Sequence, residues 1–174
     1  SSISLYSLVF TNFINSNLIN SSLFLIAGLS GLAHLFYWNT LQSLKKPIIG
    51  MLHVGYFVLY FSLITKAASF FVESLNYTRA NLHLSLTGGL SILALNIMVR
   101  ASLGHSGRKI LMNKSTGLMF ISIILGMSLR YIVPIVKPEY FKKSLHHSMG
   151  FWTLAFAIYL VKFLPILLKK RINE

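Results

Sequence analysis

Long apolar runs alternate with short polar connections along most of the chain. Five of the runs are long enough to cross a bilayer, because an α-helix needs about 20 predominantly apolar residues to span the hydrocarbon core. They cover residues 18–38, 48–72, 82–103, 117–136 and 145–168. The short connections predict that consecutive helices are antiparallel neighbours. The pattern therefore predicts an all-α fold, a polytopic transmembrane bundle of about five spanning helices within a domain of residues 18–174.

The first residues do not follow this alternation. Residues 1–17 are only partly apolar and contain three asparagines. We expect them to form the end of a preceding helix or an interfacial segment. The chain begins with Ser rather than Met and shows no signal-like core with a cleavage site. A fragment or a processed product is therefore expected.

Composition agrees with a membrane protein. Hydrophobic residues make up 55% of the chain and charged residues 11%, whereas soluble domains carry about 25% charged residues. A net charge of +13 could indicate a nucleic-acid partner, but the basic residues cluster between the apolar runs, as in polytopic membrane proteins. We therefore expect the lipid bilayer as a partner and exclude nucleic acid.

The distribution of Lys and Arg predicts an orientation. One end of the bundle, called end A, holds loop 39–47, loop 104–116 and the C-terminus; the opposite end is called end B. End A carries Lys45, Lys46, Arg108, Lys109, Lys114, Lys169, Lys170 and Arg171, and end B carries Arg79, Lys137, Lys142 and Lys143. The positive-inside rule predicts end A in the cytoplasm. Lys66, Arg130 and Lys162 lie within a run but near its end, where we expect their side chains to snorkel to the surface.

Scarce acids and absent cysteines exclude several kinds of chemistry. The acids are Glu73, Glu139 and Glu174, so neither a carboxylate proton relay nor a two-carboxylate enzyme is expected. The chain contains no cysteine, which excludes disulfides, thiolate metal sites and a cysteine nucleophile. No residue is assigned a catalytic role.

The histidines are the candidate ligands. His34 and His53 both lie roughly 6–8 Å below the end A boundary, on consecutive helices. His105 follows the third run at the same end, whereas His83, His146 and His147 lie near end B. Two histidines from facing helices can hold a haem iron axially. The alternative is a histidine that hydrogen-bonds between helices or lies among the headgroups.

The stretch VRASLGHSGRK, residues 99–109, joins basic residues to two glycines. Gly104 is expected to cap the third helix as its C′ residue, and Gly107 to relax the next turn. Arg100 faces either the bundle interior or the headgroups. With Arg108 it could bind an anion such as a haem propionate, because guanidinium pairs bidentately with carboxylate.

Three motifs in order carry a resemblance to a known family. They are LHxGY (Leu52–Tyr56), LH…TxG (Leu82–Gly89) and RxxLGHxGR (Arg100–Arg108). Together with GLAHLFYW at residues 31–38, they make the chain similar to the C-terminal half of the NnrS family, from about residue 23 to the end. The chain departs from the family at Lys109–Ile110, where members have a proline after the final arginine. Members are also longer, with more spans before this region.

The resemblance implies a multispan protein of the bacterial inner membrane that contains haem and copper and is linked to nitric oxide and nitrosative stress. Carried over by motif, the candidate cofactor-binding residues are His34, His53, His83, His105, Arg100, Arg108 and Tyr56; the candidate metal ligands are His53, His83 and His105. The implied partners are nitric oxide or a related small molecule and the missing N-terminal half or a partner subunit. The GHSGR loop and the C-terminus are expected in the cytoplasm.

Two other functions remain open at this stage. A multispan transporter or channel subunit for a small solute or metal would use Arg100 and the polar helix faces to line a path. A structural bundle would only support a partner protein. A haem Soret band would separate the first hypothesis from both of these.

Overall fold

The computed structural model describes residues 16–38, 40–76 and 80–172. These residues form helices and no strands, and five helical segments are long and apolar enough to cross a membrane. The elements in chain order are α1 (Asn17–Tyr37), α2 (Thr40–Leu44), α3 (Pro47–Ala68), α4 (Glu73–Asn76), α5 (Ala80–His83), a π-helix (Leu84–Leu90), α6 (Ser91–His105), α7 (Lys114–Val136), a 3₁₀-helix (Pro138–Tyr140) and α8 (Phe141–Leu167). The all-α prediction with about five spanning helices is confirmed.

The third span is continuous from Ala80 to His105 and includes α5, the π-helix and α6. The segment expected at residues 1–17 lies outside the described residues, except for Ser16 and Asn17. Ser16 is the N-cap of α1.

Local sequence sets where the long helices begin. Pro47 starts α3 at a position where its missing N–H would have no helical partner. Asn113 caps α7, because its side-chain oxygen accepts from the backbone N–H of Thr116 at 3.0 Å. Lys162 of α8 also donates to this oxygen, which agrees with the expected snorkelling of its side chain toward end A.

The end of α6 differs from the expected cap. The helix continues through Gly104 to His105, and Gly107 is the residue with a positive φ, at 71°. The Arg108 N–H donates to the Leu103 carbonyl at 2.9 Å and the Gly107 N–H to the Gly104 carbonyl at 3.1 Å. This pair of hydrogen bonds is a Schellman motif with Gly107 at C′. The assignment of Gly104 as the C′ glycine was therefore wrong by three residues.

The second, fourth and fifth spans pack on the third one, and the first span packs on the second. The π-helix contacts both α3 and α7, α1 packs along α3, and α7 packs along α8. Most of the hydrophobic core lies where α6, α7 and α8 meet, with Leu95, Val99, Phe120, Ile123 and Phe163 almost fully buried. Polar bonds also join helices, such as Trp152 Nε1 to Ser91 Oγ at 2.9 Å and Ser102 Oγ to Tyr159 Oη at 2.8 Å.

Contacts at the two ends agree with antiparallel neighbours. At end A, the backbone N–H of Ile172 donates to the carbonyl of Ser106 at 3.3 Å, so the segment after α8 lies on the GHSGR loop. At end B, the start of the third span meets the last turns of α7 through His83 and Arg130. Tertiary contacts therefore hold the GHSGR loop at end A and His83 of the LH…TxG motif at end B.

Candidate functional site

His53 is a buried imidazole with one nitrogen in use. It lies on the second turn of α3 and is 6% exposed. Its Nδ1 is 3.1 Å from the carbonyl oxygen of Ile49, one turn earlier. Because a carbonyl can only accept, Nδ1 carries a proton, and in the neutral imidazole the lone pair is then on Nε2. Among the described residues, Nε2 is buried and has no hydrogen-bond partner.

This arrangement matches the usual state of a histidine metal ligand. Such a ligand binds through one nitrogen while the other donates to a carbonyl or carboxylate, which fixes the tautomer and the ring. Asn96 supports the same region of α3, because its Nδ2 donates to the Ile48 carbonyl at 2.6 Å. In the first turn of α3, the Ile49 carbonyl therefore binds His53, and the adjacent Ile48 carbonyl binds Asn96 of the third span.

An aromatic ring lies beside His53 and continues into a chain of ring contacts. The centroid of Trp38 lies 6.1 Å from that of His53 and 5.3 Å from that of Tyr56, edge-on in both cases. Tyr56 stacks on Tyr60 at 6.2 Å. We call His34, Trp38, His53, Tyr56 and Tyr60 the aromatic cluster. Trp38 is the C-cap residue of α1, which ends at Tyr37.

His34 and His53 belong to one cluster but are not equivalent. The ring of His34 lies 5.2 Å from that of Trp38, and Trp38 is therefore the neighbour that the two imidazoles share. His34 is exposed, whereas His53 is buried. Of the two imidazoles, that of His53 combines burial with a nitrogen that has no hydrogen-bond partner among the described residues, which is the chemistry of a metal donor.

His83 lies at the other end of the bundle. Its Nε2 is 2.8 Å from Nη2 of Arg130, and since a guanidinium can only donate, Nε2 of His83 is the acceptor. Arg130 is only 9% exposed and also lies over the ring of Phe141, at 5.2 Å. The side chain of Arg130 reaches residues at end B, as snorkelling requires, but its guanidinium is covered there by His83 and Phe141 instead of being exposed.

The remaining candidates lie at end A. His105 is the last residue of α6 and is exposed, as is Arg100, while Arg108 is partly buried. Within the described ranges, no three His, Cys, Asp or Glu side chains are grouped so that they could hold a metal ion. His53, His83 and His105 therefore do not share one metal site in this part of the chain.

Sequence reasoning missed two members of these arrangements. The Ile49 carbonyl has no side-chain signal, although it is within reach of a histidine four residues later on the same helix. The pairing of Arg130 with His83 had only a weak signal, because both lie toward end B but at different depths: His83 is the second residue of its apolar run, and Arg130 lies six residues before the end of its own. Depth alone would not have paired them.

Comparisons with known proteins give one finding. The family model described as NnrS protein matches residues 2–171. The comparisons with curated proteins and with solved structures found no match.

Proposed function

Because the chain belongs to the NnrS family, we propose that it is a haem-binding membrane protein that takes part in resistance to nitric oxide and nitrosative stress. One observation carries the proposal: His53 presents a buried Nε2 without a partner among the described residues. Leaving a buried nitrogen unpaired costs about 1–3 kcal/mol. Coordination to iron would recover that cost.

Each residue of the site would have a separate task. His53 would be the iron ligand, and the Ile49 carbonyl would hold its ring in the ligating tautomer. Trp38 and Tyr56 would form an apolar wall that limits the access of water. Arg100 and Arg108, at the same end, would bind the propionates. When bound, the haem iron supplies a site that binds nitric oxide or exchanges electrons. Copper is the other metal that the resemblance suggests, and the same nitrogen would bind it.

We also propose the bacterial cytoplasmic membrane as the location, with the GHSGR loop and the C-terminus in the cytoplasm. The excess of Lys and Arg at end A supports this orientation. Under this orientation, the aromatic cluster lies near the cytoplasmic surface.

Absorption spectra test the haem proposal. The protein purified in detergent and supplied with haem should show a Soret band, which sharpens on dithionite reduction and shifts with nitric oxide. His53→Ala should lose the band and regain it with added imidazole, because a small ligand can fill the space left by the side chain. His146→Ala is the matched control, since His146 is exposed at end B. A band that persists unchanged in folded His53→Ala protein would contradict the assignment.

The link to nitrosative stress needs a cellular test. Cells that depend on this chain for growth under a nitric oxide donor should be protected by the wild type and by His146→Ala but not by His53→Ala. Equal protection by His53→Ala would show that resistance to nitric oxide does not depend on His53 as an iron ligand.

A transporter or channel subunit for a small solute or metal is the second candidate. Its supporting observation is the guanidinium of Arg130, which is buried inside the helical bundle next to His83. Charged groups at such depth often mark solute paths. A featureless visible spectrum with haem supplied, together with solute uptake into liposomes that Arg130→Gln abolishes, would favour this function over the first.

A further inference from the structure

An open groove lies at end B between the last turns of α7 and the first turns of α8. Its volume is about 530 Å³. One wall is apolar and consists of Leu129, Ile132, Val133 and Val136 on α7. Their spacing of three and four residues places them on one face of the helix, so they form a continuous strip about two turns long.

The mouth of the groove is cationic. Lys137, Tyr140, Lys143 and His147 also line it. The ammonium groups of Lys137 and Lys143 lie 5.8 and 5.5 Å from the ring centroid of Tyr140. Two positive charges are thus gathered around one aromatic ring, next to the apolar strip.

Few negative charges compensate these cations. Residues 137–147 contain three lysines and two histidines, with Glu139 as the acid. Glu139 lies on the exposed 3₁₀-helix and does not line the groove. Nδ1 of His147 is 2.7 Å from the Lys143 carbonyl, so this nitrogen donates and Nε2 points away from the backbone. The mouth therefore has an excess of positive charge at neutral pH.

We propose that this groove binds one anionic phospholipid. The phosphodiester lies between Lys137 and Lys143, and an acyl chain runs along the strip from Val136 to Leu129. A zwitterionic lipid compensates its phosphodiester with its own ammonium group, so two lysines favour a lipid of net negative charge. A soluble phosphate would not use the strip. The position agrees with this occupant, because the cations stand where α7 leaves its apolar run and the strip lies one to two turns deeper. Arg130 is bound to His83 and is outside this lining.

Native mass spectrometry of the full chain in detergent tests the site with two probes, phosphatidylglycerol and phosphatidylcholine of equal chain length. Wild-type protein should retain phosphatidylglycerol more tightly than phosphatidylcholine. The double variant Lys137→Gln/Lys143→Gln should weaken this retention by about 25-fold, because each lysine near the surface adds about fivefold. Lys45→Gln/Lys46→Gln removes the same charge from exposed positions at end A and should bind like the wild type.

Three outcomes would overturn the proposal. Equal retention of the two lipids would show that the lysines do not read the headgroup charge. An equal loss in the end A control would show that net charge alone attracts the lipid. Displacement of phosphatidylglycerol by millimolar inorganic phosphate would indicate a phosphate site that makes no use of the apolar strip. Because all four lysines are exposed, the variants should fold, and gel filtration checks this.

Discussion

Gly104 and Gly107 stand three residues apart at the end of α6 but have different roles. Gly104 has helical geometry, and a Cβ added there would meet only Ile110, at 3.8 Å. Gly107 has a φ of 71°, and an added Cβ would lie 3.3 Å from the side chain of Arg171. Only Gly107 is therefore required by the backbone and by the C-terminal segment that packs on it.

We expect opposite effects from the same substitution at these two sites. Gly107→Ala should lower stability by about 1 kcal/mol or more, because an L-residue is strained in the left-handed region. Gly104→Ala should raise stability by about 0.5–1 kcal/mol, because alanine loses less entropy in a helix. Thermal unfolding in detergent measures both. A destabilised Gly104→Ala protein would mean that this glycine is needed for close contact with a cofactor or partner.

Single residues also show where sequence reasoning stops. The depth of each residue along its helix predicted that His34 and His53 lie at the same end, and the structure places both beside Trp38. Depth does not tell which histidine is buried, because burial depends on the rotation of each helix against its neighbours. Nor can it tell which nitrogen is free, since that follows from a backbone carbonyl rather than from any residue type.

Among the helices, α1 depends most on a single neighbour. It packs along α3, and the ring of Tyr60 lies over Gly31. An added Cβ at Gly31 would stand 2.1 Å from that ring. Since Tyr60 stacks on Tyr56 and Tyr56 contacts Trp38, this glycine couples the position of α1 to the aromatic cluster, in addition to the contact that His34 of α1 makes with Trp38.

Gly31→Ala should therefore disturb both packing and the cluster. We expect a loss of about 1–3 kcal/mol, typical of overpacking in a close-packed interface, and a changed fluorescence of Trp38. Gly117→Ala on α7 is the matched control, because nothing lies within 4 Å of its added Cβ. Equal stability of the two variants would show that α1 can move away from α3 without cost. The second tryptophan, Trp152, is replaced by Phe in both variants so that the signal is from Trp38.

Helix existence followed from the sequence far better than helix ends did. Apolar runs of bilayer length leave the backbone no alternative to internal hydrogen bonds, and all five runs are helical. The second run was expected to continue to residue 72, yet α3 ends at Ala68. Ser69, just beyond that end, accepts a hydrogen bond from Asn81 of the third span at 3.0 Å, a tertiary contact that no local pattern encodes.

For the whole molecule, burial decreases from the middle of the bundle to its edges. The third span is the most buried of the five, and the fifth is the least. Large apolar side chains are therefore exposed along α8, with Val161 at 79%. A bilayer would cover such a surface, and the cationic residues at both ends would face the headgroups.

Orientation is a property of the whole molecule and can be measured directly. The chain contains no cysteine, so a single cysteine reports one position. Leu111→Cys at end A and Glu139→Cys at end B replace exposed residues. With end A in the cytoplasm, a membrane-impermeant maleimide should label Glu139→Cys in intact spheroplasts and Leu111→Cys only after lysis. The reverse pattern would invert the topology and place the GHSGR loop outside.

The π-helix of residues 84–90 sets the phase between the two halves of the third span. An α-helix turns about 100° per residue, and each π hydrogen bond closes a ring one residue larger than in an α-helix. His83 precedes this segment and faces Arg130 of α7, whereas Asn96 follows it and bonds to Ile48 of α3. Removing one residue from LSLTGGL would rotate one half against the other by about 100°. The third span could then no longer make both contacts at once. The π-helix therefore sets the rotation at which one half of the span faces α7 while the other half faces α3.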